Sequence, residues 1–480
     1  MKGPKQDMPQ GSSQKWLVLV LVSLGNFVAT LDTGIINLSF PILTDVFNTD
    51  PNTVLWVSAA YYLTIVGLMQ PFGKLADTIA PKKVFAWGFI LFTLGLTLCA
   101  VAQNIGQLIA FRVVQAVGVA MIFAVSNAIL TSVFPPEERG KAMGIASGVV
   151  GAGLAVGPAL GGLMLNELGW RSIFYLRSPI GLAGIIMSFL VLKSGRIPRA
   201  NRSFDFLGAL LLFVAMASLL LAINRGRILG WSSATIIGLF ITATVLLIIF
   251  IVLEKRVANP VVNLGLFRSR NFTAANWGNL LRFIAISANN FLTPFYLIGV
   301  TGFTPVKAGL ILTAVPVVIL LVAPAAGWLS DKIGSRLLCS AGMVSICLGL
   351  FFLSRLDANS SIVAIVPILV LMGLGSGLFE SPNHSAVMGA VPRDYLGTAS
   401  AMIATFRATG QSLGLAIAGI VFVSREAYYA STLTSQGTDP QLVAGLAYHG
   451  GIADGFLVGM TVGIAALVVS LLLKRDQTVS

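Results

Sequence analysis

The chain consists of long apolar runs joined by short polar segments, and this pattern constrains its fold more than any other feature. A helix needs about 20 mostly apolar residues to cross a bilayer, and helices satisfy their own backbone hydrogen bonds in lipid. Hydrophobic residues make up 56% of the 480 residues and charged residues only 10%, too few to cover a soluble core of this size. The sequence therefore predicts an all-α membrane protein of about fourteen transmembrane helices, with runs at about 16–41, 54–73, 84–103, 106–134, 140–165, 172–193, 205–224, 232–253, 271–299, 306–329, 337–355, 361–390, 396–424 and 451–473.

The distribution of basic residues predicts how these helices are oriented. Cytoplasmic loops of membrane proteins carry an excess of Lys and Arg. With the N-terminus in the cytoplasm, 21 of the 31 Lys and Arg residues fall inside, six fall outside and four lie within the runs. We therefore expect a multi-pass protein of the plasma (inner) membrane with cytoplasmic tails at 1–15 and 475–480. The polar stretch at about 425–450 is expected to be an extracellular loop, flexible or partly helical.

Two short segments of similar sequence indicate that the architecture is duplicated. Each lies between the second and third helices of a group of six, the first at 73–83 and the second at 327–336. Duplicated halves are common in transporters. We therefore predict a six-helix half at 16–193, a basic linker with an inserted helix pair at 194–255, and a second six-helix half at 256–474. The matching residues of the two segments are Gly73, Asp77 and Lys82 in the first, and Gly327, Asp331 and Arg336 in the second.

Three further motifs point to a family. Span one carries Leu31-Asp32-Thr33-Gly34-Ile35-Ile36-Asn37, and span four carries Arg112-Val113-Val114-Gln115. Span five has the pattern G-x-x-x-G-P-x-x-G-G at every fixed position, namely Gly153, Gly157, Pro158, Gly161 and Gly162. Together with the paired segments, these motifs resemble the major facilitator superfamily and, within it, the fourteen-span drug:proton antiporters.

This resemblance covers the whole chain and implies the major facilitator fold, with two six-helix halves and an inserted helix pair. It implies a secondary transporter rather than an enzyme. It also implies that the span-five motif, the paired segments and Arg407 of span thirteen take part in gating or conformational change.

Ionisable residues within membrane helices are costly, so each of them is a candidate functional residue. Asp32 lies in the middle of span one, where a buried carboxyl group can bind and release protons. The family motifs place spans one and four side by side, so Arg112 is the expected partner of Asp32. Two roles are open for the pair. In the first, separation from Arg112 lets Asp32 take up a proton; in the second, a static pair merely fixes helix packing.

Span twelve carries a second acid, Glu380, followed one helical turn later by His384. Residues four apart share one face of a helix, so the pair is a candidate proton relay or substrate contact. The alternative is a hydrogen-bonded pair that stabilises a helix broken near Pro382. Arg282 is expected to snorkel, to pair with Glu380 or to bind an anionic group, and Arg177 to face the cavity or an interface. These additional cations argue against a purely cationic substrate.

The substrate cavity is expected to be mainly apolar, with scattered amide and aromatic side chains. The adjacent amides at 289 and 290 are unusual in a membrane helix, and we expect one to face substrate and the other a neighbouring helix. Each amide alone can instead serve as an interhelical hydrogen-bonding group. The predicted substrate-contacting residues are Asn37, Tyr61, Tyr62, Gln70, Asn127, Arg282, Asn289, Asn290, Phe295, Tyr296 and Glu380.

The preferred hypothesis from the sequence is a proton-coupled antiporter that exports hydrophobic or amphipathic small molecules by alternating access, as in multidrug efflux. The alternative is a lipid or lipid-precursor flippase on the same fold, because arginines within spans would suit a phosphate headgroup. An enzyme, sensor or channel is not expected. The sequence has no nucleotide-binding G-x-x-x-x-G-K-[ST] loop and no metal-ligand spacing, so we expect no cofactor and no metal, with a proton gradient as the driving force. The expected partners are protons, membrane lipids and a hydrophobic substrate, without nucleic acid, and the expected state is a monomer.

Overall fold

The computed structural model of the protein describes residues 12–192, 205–257, 260, 264–392 and 396–473. Within these ranges the chain is helical without strands, and fourteen helices are long and apolar enough to cross a membrane. The predicted number of spans is therefore confirmed. The helices are α1 (Ser12–Val46), α2 (Pro51–Val54), α3 (Trp56–Ile79), α4 (Pro81–Ala100), α5 (Ile105–Val133), α6 (Pro136–Leu168), α7 (Ser172–Tyr175), α8 (Ser178–Val191), α9 (Phe206–Leu229), α10 (Ala234–Glu254), α11 (Arg270–Phe295), α12 (Pro305–Leu312), α13 (Ala314–Ile333), α14 (Ser335–Leu353), α15 (Ile362–Gly389), α16 (Leu396–Ser435) and α17 (Pro440–Leu471).

The helices form two six-helix halves and an inserted pair, as predicted. In the N-terminal half, α1 packs on α5 and α6, and α4 packs on α5 and α8. In the C-terminal half, α11 packs on α16 and α17, and α14 packs on α15 and α17. The inserted helices α9 and α10 pack on each other, and α9 also contacts α3 of one half and α16 of the other. The inserted pair therefore touches both halves through α9.

The start of α1 and the end of α17 lie on one face of the bundle, which we name the terminal face; the opposite face is the distal face. Lys15 at the start of α1 pairs with Glu138 at the start of α6, with Nζ and Oε2 2.5 Å apart. Arg270 at the start of α11 donates from Nε to the carbonyl of Leu472, at 2.9 Å. The helix ends of each half are thereby joined at the terminal face.

The expected loop at about 425–450 is mostly helical in the structure. No Gly or Pro occurs between Gly419 and Gly437, so α16 continues to Ser435 and stops before Gly437, whose φ is 74°. Asp439 then caps α17 by accepting from the backbone N–H of Gln441 at 2.9 Å, as is typical of a helix start. The connection between the two helices is therefore only residues 436–439.

The two halves contact each other closely near the distal face. The rings of Phe40 on α1 and Phe291 on α11 have centroids 5.6 Å apart. A Cβ added at Gly162 of α6 would lie 2.4 Å from the carbonyl oxygen of Pro305 at the start of α12. A Cβ added at Gly419 of α16 would lie 2.1 Å from Cδ2 of Leu55, the residue between α2 and α3. Such distances leave no room for a methyl group, and we name these contacts the distal seal.

Candidate functional site

Asp32 of α1, Arg112 of α5 and Arg177 just before α8 meet inside the N-terminal half. All three side chains are buried, with exposures of 0% for Asp32 and 1% for each arginine. Arg112 Nη1 donates to Asp32 Oδ2 at 2.6 Å, and Arg177 Nη1 donates to Asp32 Oδ1. The predicted Asp32–Arg112 pair is therefore present, together with a second arginine that the sequence analysis did not assign to it. We name these three residues the Asp32 cluster.

Further contacts hold Arg112 more firmly than Arg177. Arg112 Nη1 also donates to Gln115 Oε1 at 2.7 Å, and Gln115 Nε2 donates to Asp32 Oδ1 at 3.0 Å. The ring of Tyr61 lies 4.1 Å from the guanidinium carbon of Arg112. Among the described residues, Arg177 Nη2 has no hydrogen-bond partner. One carboxylate and two guanidinium groups leave a net charge of +1, which is expensive to bury.

One face of α6 lies directly against the part of α1 that carries this cluster. Its glycines are Gly153, Gly157 and Gly161, spaced one helical turn apart. A Cβ added at Gly157 would lie 3.0 Å from the carbonyl oxygen of Leu31. Glycine at these places lets the two backbones touch. We name this face the α1 stripe.

A neighbouring face of α6 lies against the C-terminal half. Here Pro158 and Gly162 contact α12, where a Cβ added at Gly309 would lie 2.2 Å from the carbonyl oxygen of Pro158. We name this face the α12 stripe. The span-five motif therefore joins the helix of Asp32 to the distal seal through a single helix.

A second charged cluster lies in the C-terminal half, where Glu380 of α15 meets Arg282 of α11 and Arg407 of α16. Arg282 Nη2 donates to Glu380 Oε2 at 3.2 Å, and Arg407 Nη1 is 3.9 Å from Glu380 Oε1. The Glu380 side chain is 42% exposed and that of Arg407 34%, whereas Arg282 is 2% exposed. Since the carboxylate pairs with arginines of two other helices of its own half, its exposed surface faces a space between helices, which we name the internal cavity. We name these residues the Glu380 cluster.

Aromatic rings support both arginines of this cluster. The ring centroid of Phe283 lies 4.7 Å from the Arg282 guanidinium carbon and 5.1 Å from that of Arg407. Phe379 lies 5.2 Å from Arg282. Arg282 Nε and Nη1 are buried without a hydrogen-bond partner among the described residues. The two guanidinium groups are therefore held in place while part of their donor capacity is unused.

The predicted pair of Glu380 with His384 is not formed as an ion pair in the described part of the chain. The ion pairs of Glu380 are with Arg282 and Arg407, and His384 is exposed. The spacing along the helix was correct, but the carboxylate turns toward two arginines on other helices, whose charges attract it more strongly. Nor is the helix broken near Pro382, because α15 is continuous through it.

The adjacent amides of α11 have different surroundings. Asn289 is buried, accepts at Oδ1 from Thr293 Oγ1 of its own helix at 2.9 Å and donates from Nδ2 to Asn290 Oδ1 at 3.5 Å. Asn290 is half-buried. In the N-terminal half, Asn37 is half-buried, and its Oδ1 has no hydrogen-bond partner among the described residues. Tyr62 is hydrogen-bonded to the side chain of Thr33.

Two of the predicted substrate-contacting residues make packing contacts near the distal face. Phe295 packs between Phe291 and Phe422, with centroid distances of 5.0 and 5.7 Å, close to the distal seal. The hydroxyl of Tyr296 donates to the carbonyl of Asp357 at 2.7 Å. Both side chains belong to distal packing because α11 continues as a π-helical turn, Tyr296–Val300, toward that face.

The paired sequence segments lie at the terminal face. A Cβ at Gly327 of α13 would lie 2.4 Å from Ser381 Oγ of α15, whereas one at Gly73 would be 4.0 Å from its nearest neighbour. Lys82 is half-buried and Arg336 exposed. The side chains of Gln70, Asp77, Asn127 and Asp331 lie outside those that the structure describes.

Sequence reasoning missed that Arg177 belongs to the Asp32 cluster. The signal available was chemical: a permanently charged side chain in an apolar run needs a buried acid, and Asp32 was the one such acid identified in that half of the sequence. The contact joins residues 145 positions apart, a distance that no local pattern reveals.

Comparisons with known proteins place the chain in a family. The model of the Major Facilitator Superfamily matches residues 22–415. The riboflavin transporter RibZ of Clostridioides difficile (strain 630) is 34% identical over 415 residues, covering 86% of this chain and 90% of that protein. The multidrug resistance protein Stp of Mycobacterium tuberculosis (strain ATCC 25618 / H37Rv) is 33% identical over 409 residues, covering 85% of this chain and 76% of that protein.

The fold agrees with solved structures as well. A bacterial homologue of the human lysosomal transporter Spinster, in an inward-facing and unoccupied conformation, superposes with a TM-score of 0.69 at 15% identity, over 97% of this chain and 98% of that one. A peptide transporter POT in complex with sulfate gives a TM-score of 0.65 at 16% identity, over 95% and 96% of the two chains. The chain therefore belongs to the Major Facilitator Superfamily, as a multi-pass transporter whose fourteen spans fit the drug:proton antiporter type.

Proposed function

We propose that the protein is a proton-coupled antiporter that exports hydrophobic or amphipathic small molecules across the plasma membrane, with the terminal face in the cytoplasm. The observation that carries the proposal is the Asp32 cluster, a fully buried carboxylate held by two arginines. The names of two relatives, a riboflavin transporter and a multidrug resistance protein, support organic small molecules as the substrate class.

Protonation of Asp32 would change the forces within its cluster. In its ionised form, Asp32 accepts from Arg112, Arg177 and Gln115. A proton on the carboxylate removes the negative charge between the two guanidinium groups, which then repel each other in a medium of low dielectric constant. Because the arginines belong to α5 and to the start of α8, protonation favours separation of these helices around α1.

The span-five motif provides a route from this change to the interface between the halves. α1 lies on the α1 stripe of α6, and α12 lies on the adjacent α12 stripe. A shift of α1 against α6 therefore displaces the surface on which α12 rests at the distal seal. In the open state of the seal, the Asp32 cluster would face the outside, where substrate leaves and Asp32 takes up a proton. The shift of α1 caused by this proton would close the seal again, and deprotonation toward the cytoplasm would reset the cycle.

The proposal needs no cofactor, since the proton gradient supplies the free energy. A single chain holds both charged clusters and the contacts between the halves, so a monomer in lipid suffices for the cycle.

The test uses the full chain reconstituted in liposomes with an imposed pH gradient and a panel of lipophilic cations, neutral amphiphiles and organic anions. We expect gradient-driven accumulation by the wild type. Asp32→Asn keeps the size of the side chain but cannot carry the proton, so it should bind substrate and fail to accumulate it. Arg425→Gln, which neutralises a charge far from both clusters, is the matched control. Undiminished gradient-driven transport by Asp32→Asn would contradict the proposal.

A lipid or lipid-precursor flippase is the second candidate, favoured by the cationic Glu380 cluster, which would suit a phosphate headgroup. The same vesicles test it. Movement of fluorescent phospholipids between leaflets, independent of the pH gradient and without accumulation of small molecules, would replace the antiporter proposal with this one.

A further inference from the structure

The Glu380 cluster has features that proton coupling at Asp32 does not use. The guanidinium carbons of Arg282 and Arg407 both lie close to one aromatic ring, at 4.7 and 5.1 Å from the ring centroid of Phe283. Arg282 is 2% exposed, and two of its nitrogen atoms have no acceptor among the described residues. Buried donors without acceptors carry a free-energy cost, which an additional acceptor would remove.

The charges of the cluster are also unbalanced. Glu380 supplies one negative charge against the two positive charges of Arg282 and Arg407. Arg407 makes no hydrogen bond to the carboxylate, since its Nη1 is 3.9 Å from Glu380 Oε1, beyond hydrogen-bonding distance. The 42% exposed Glu380 and the 34% exposed Arg407 face the internal cavity. A ligand in this cavity therefore meets a net positive surface with one arginine incompletely neutralised.

We propose that Arg282 and Arg407 form a binding site for the anionic group of an organic anion with an apolar or aromatic body, and that Glu380 is the internal carboxylate that occupies this site when no substrate is bound. The ligand anion displaces Glu380 from the two arginines, and its body lies in the internal cavity. This inference rests on the proposed export function and names the substrate class of the same cavity.

The exchange makes binding depend on pH. Ionised Glu380 competes with the ligand for the arginines. Once displaced from them, the carboxylate loses its two positive neighbours and lies beside an anion, so it takes up a proton more readily than in the free protein. Anion binding is therefore coupled to proton uptake, and anion affinity should rise as pH falls. The ionisable groups that face the cluster from the packed helices are Arg282 on α11, Arg407 on α16, His384 on α15, Cys339 on α14 and Tyr62 on α3. Protonation of His384 would add a positive charge and act in the same direction.

The experiment measures binding to the purified full-length protein in detergent by titration calorimetry, at pH 8 and at pH 5.5. The probes share one aromatic body: 1-naphthalenesulfonate, uncharged 1-naphthalenemethanol and cationic 1-naphthylmethylamine. The sulfonate stays ionised at both pH values, so any change with pH comes from the protein. We expect the sulfonate to bind most tightly and to gain about tenfold in affinity at the lower pH, in line with charge-assisted hydrogen bonds.

Variants separate the roles of the three residues. Arg282→Gln and Arg407→Gln should each weaken sulfonate binding about tenfold or more and leave the alcohol unchanged. Glu380→Gln should bind the sulfonate as tightly at pH 8 as the wild type does at pH 5.5. Arg425→Gln also neutralises an arginine of α16, but outside the cluster, and should bind like the wild type. If Arg282→Gln fails to fold, the more exposed Arg407 carries the test, with Arg407→Lys retaining the charge.

Preferential binding of the amine, lost in Glu380→Gln, would overturn the proposal and make Glu380 a cation site. Equal binding of all three probes would overturn it as well. The same anionic chemistry can come from a small amphiphile or a lipid headgroup. Displacement of the sulfonate by phosphatidylglycerol but not phosphatidylcholine in mixed micelles identifies the lipid, and no displacement identifies the small anion. Because no gradient is present, these results are independent of whether Asp32 couples transport to protons.

Discussion

The two charged clusters contain the same groups in reversed positions. In the N-terminal half the acid, Asp32, lies on the first helix and Arg112 on the fourth; in the C-terminal half Arg282 lies on the first helix and Glu380 on the fourth. Each has a further arginine and one net positive charge. They differ in access: Asp32 is 0% exposed and Glu380 42%.

The clusters also lie at different depths. Arg112 is seven residues from the distal start of α5, and Glu380 nine residues from the terminal end of α15, or about 10 and about 14 Å along each helix. The same charged groups therefore behave differently in the buried Asp32 cluster and in the partly exposed Glu380 cluster. In a sealed ion pair, protonation of the acid changes the forces between the buried helices that carry it. In an open ion pair, a ligand can replace one of the two partners.

The largest difference between the two clusters is expected in the stability lost when the acid of each, Asp32 or Glu380, is removed. Asp32→Ala leaves two buried arginines without their carboxylate and should cost about 3–5 kcal/mol of stability. Glu380→Ala should cost about 1 kcal/mol, since water in the cavity screens this partly exposed pair. Thermal unfolding of the two purified variants measures the difference, and equal losses would show that the Asp32 cluster is not sealed.

Opening the distal seal should reduce the difference in solvent access between the Asp32 cluster and the Glu380 cluster. A Cβ at Gly162 would meet the backbone oxygen of Pro305 at 2.4 Å, so Gly162→Ala should disfavour the sealed state by about 1–3 kcal/mol. Labelling of Asn37→Cys, in a background with the native cysteines replaced by alanine, should accelerate about tenfold or more when reagent is added from the distal side. Gly148→Ala on the same helix, with nothing within 4 Å, is the control. Unchanged labelling in Gly162→Ala would mean that another contact closes the seal.

A smaller effect is expected from the aromatic ring under Arg112. Tyr61→Leu removes a cation–π contact of 4.1 Å and should lower stability by about 1–2 kcal/mol. Tyr61→Phe keeps the ring and removes a hydroxyl that has no partner among the described residues, so it should be neutral or slightly stabilising. Chemical denaturation of both variants distinguishes the ring from the hydroxyl, and a larger loss in Tyr61→Phe would reveal a hidden hydrogen bond.

The smallest effect is expected at a third acid–arginine pair, Arg425 with Asp454, at the distal hairpin of α16 and α17. The pair is partly exposed, at 41% and 20% of the two side chains, and such pairs contribute little because water screens them. Arg425→Gln should leave the unfolding midpoint and transport rate within experimental error. A marked loss of transport would place this hairpin in the mechanism and remove its use as a control.

The sequence predicted the fold well because the length of the apolar runs and the positions of the basic residues between them indicate the membrane-spanning helices directly. It also predicted the Asp32–Arg112 contact, since both residues lie in motifs whose helices are neighbours in the family. For Glu380 it gave two possible partners, His384 on the same helix and Arg282 on α11, and the structure shows the pair with Arg282. The sequence did not decide between them, because the choice depends on charges brought by α11 and α16. The helical extension of α16 was missed because a polar stretch can form either a loop or the exposed end of a helix. Here the lack of Gly and Pro was the signal that favoured a helix.

Two stripes on one helix have a consequence for how the protein can change over generations. Substitutions at Gly153, Gly157 or Gly161 change the packing of α6 on α1, and substitutions at Gly162 change its contact with α12. Pro158 belongs to both contacts, because a Cβ at Gly34 of α1 would lie 2.8 Å from its Cδ while its carbonyl oxygen faces Gly309 of α12. A change that relieves one contact can therefore strain the other, so the ten residues of this motif are expected to vary together rather than one at a time.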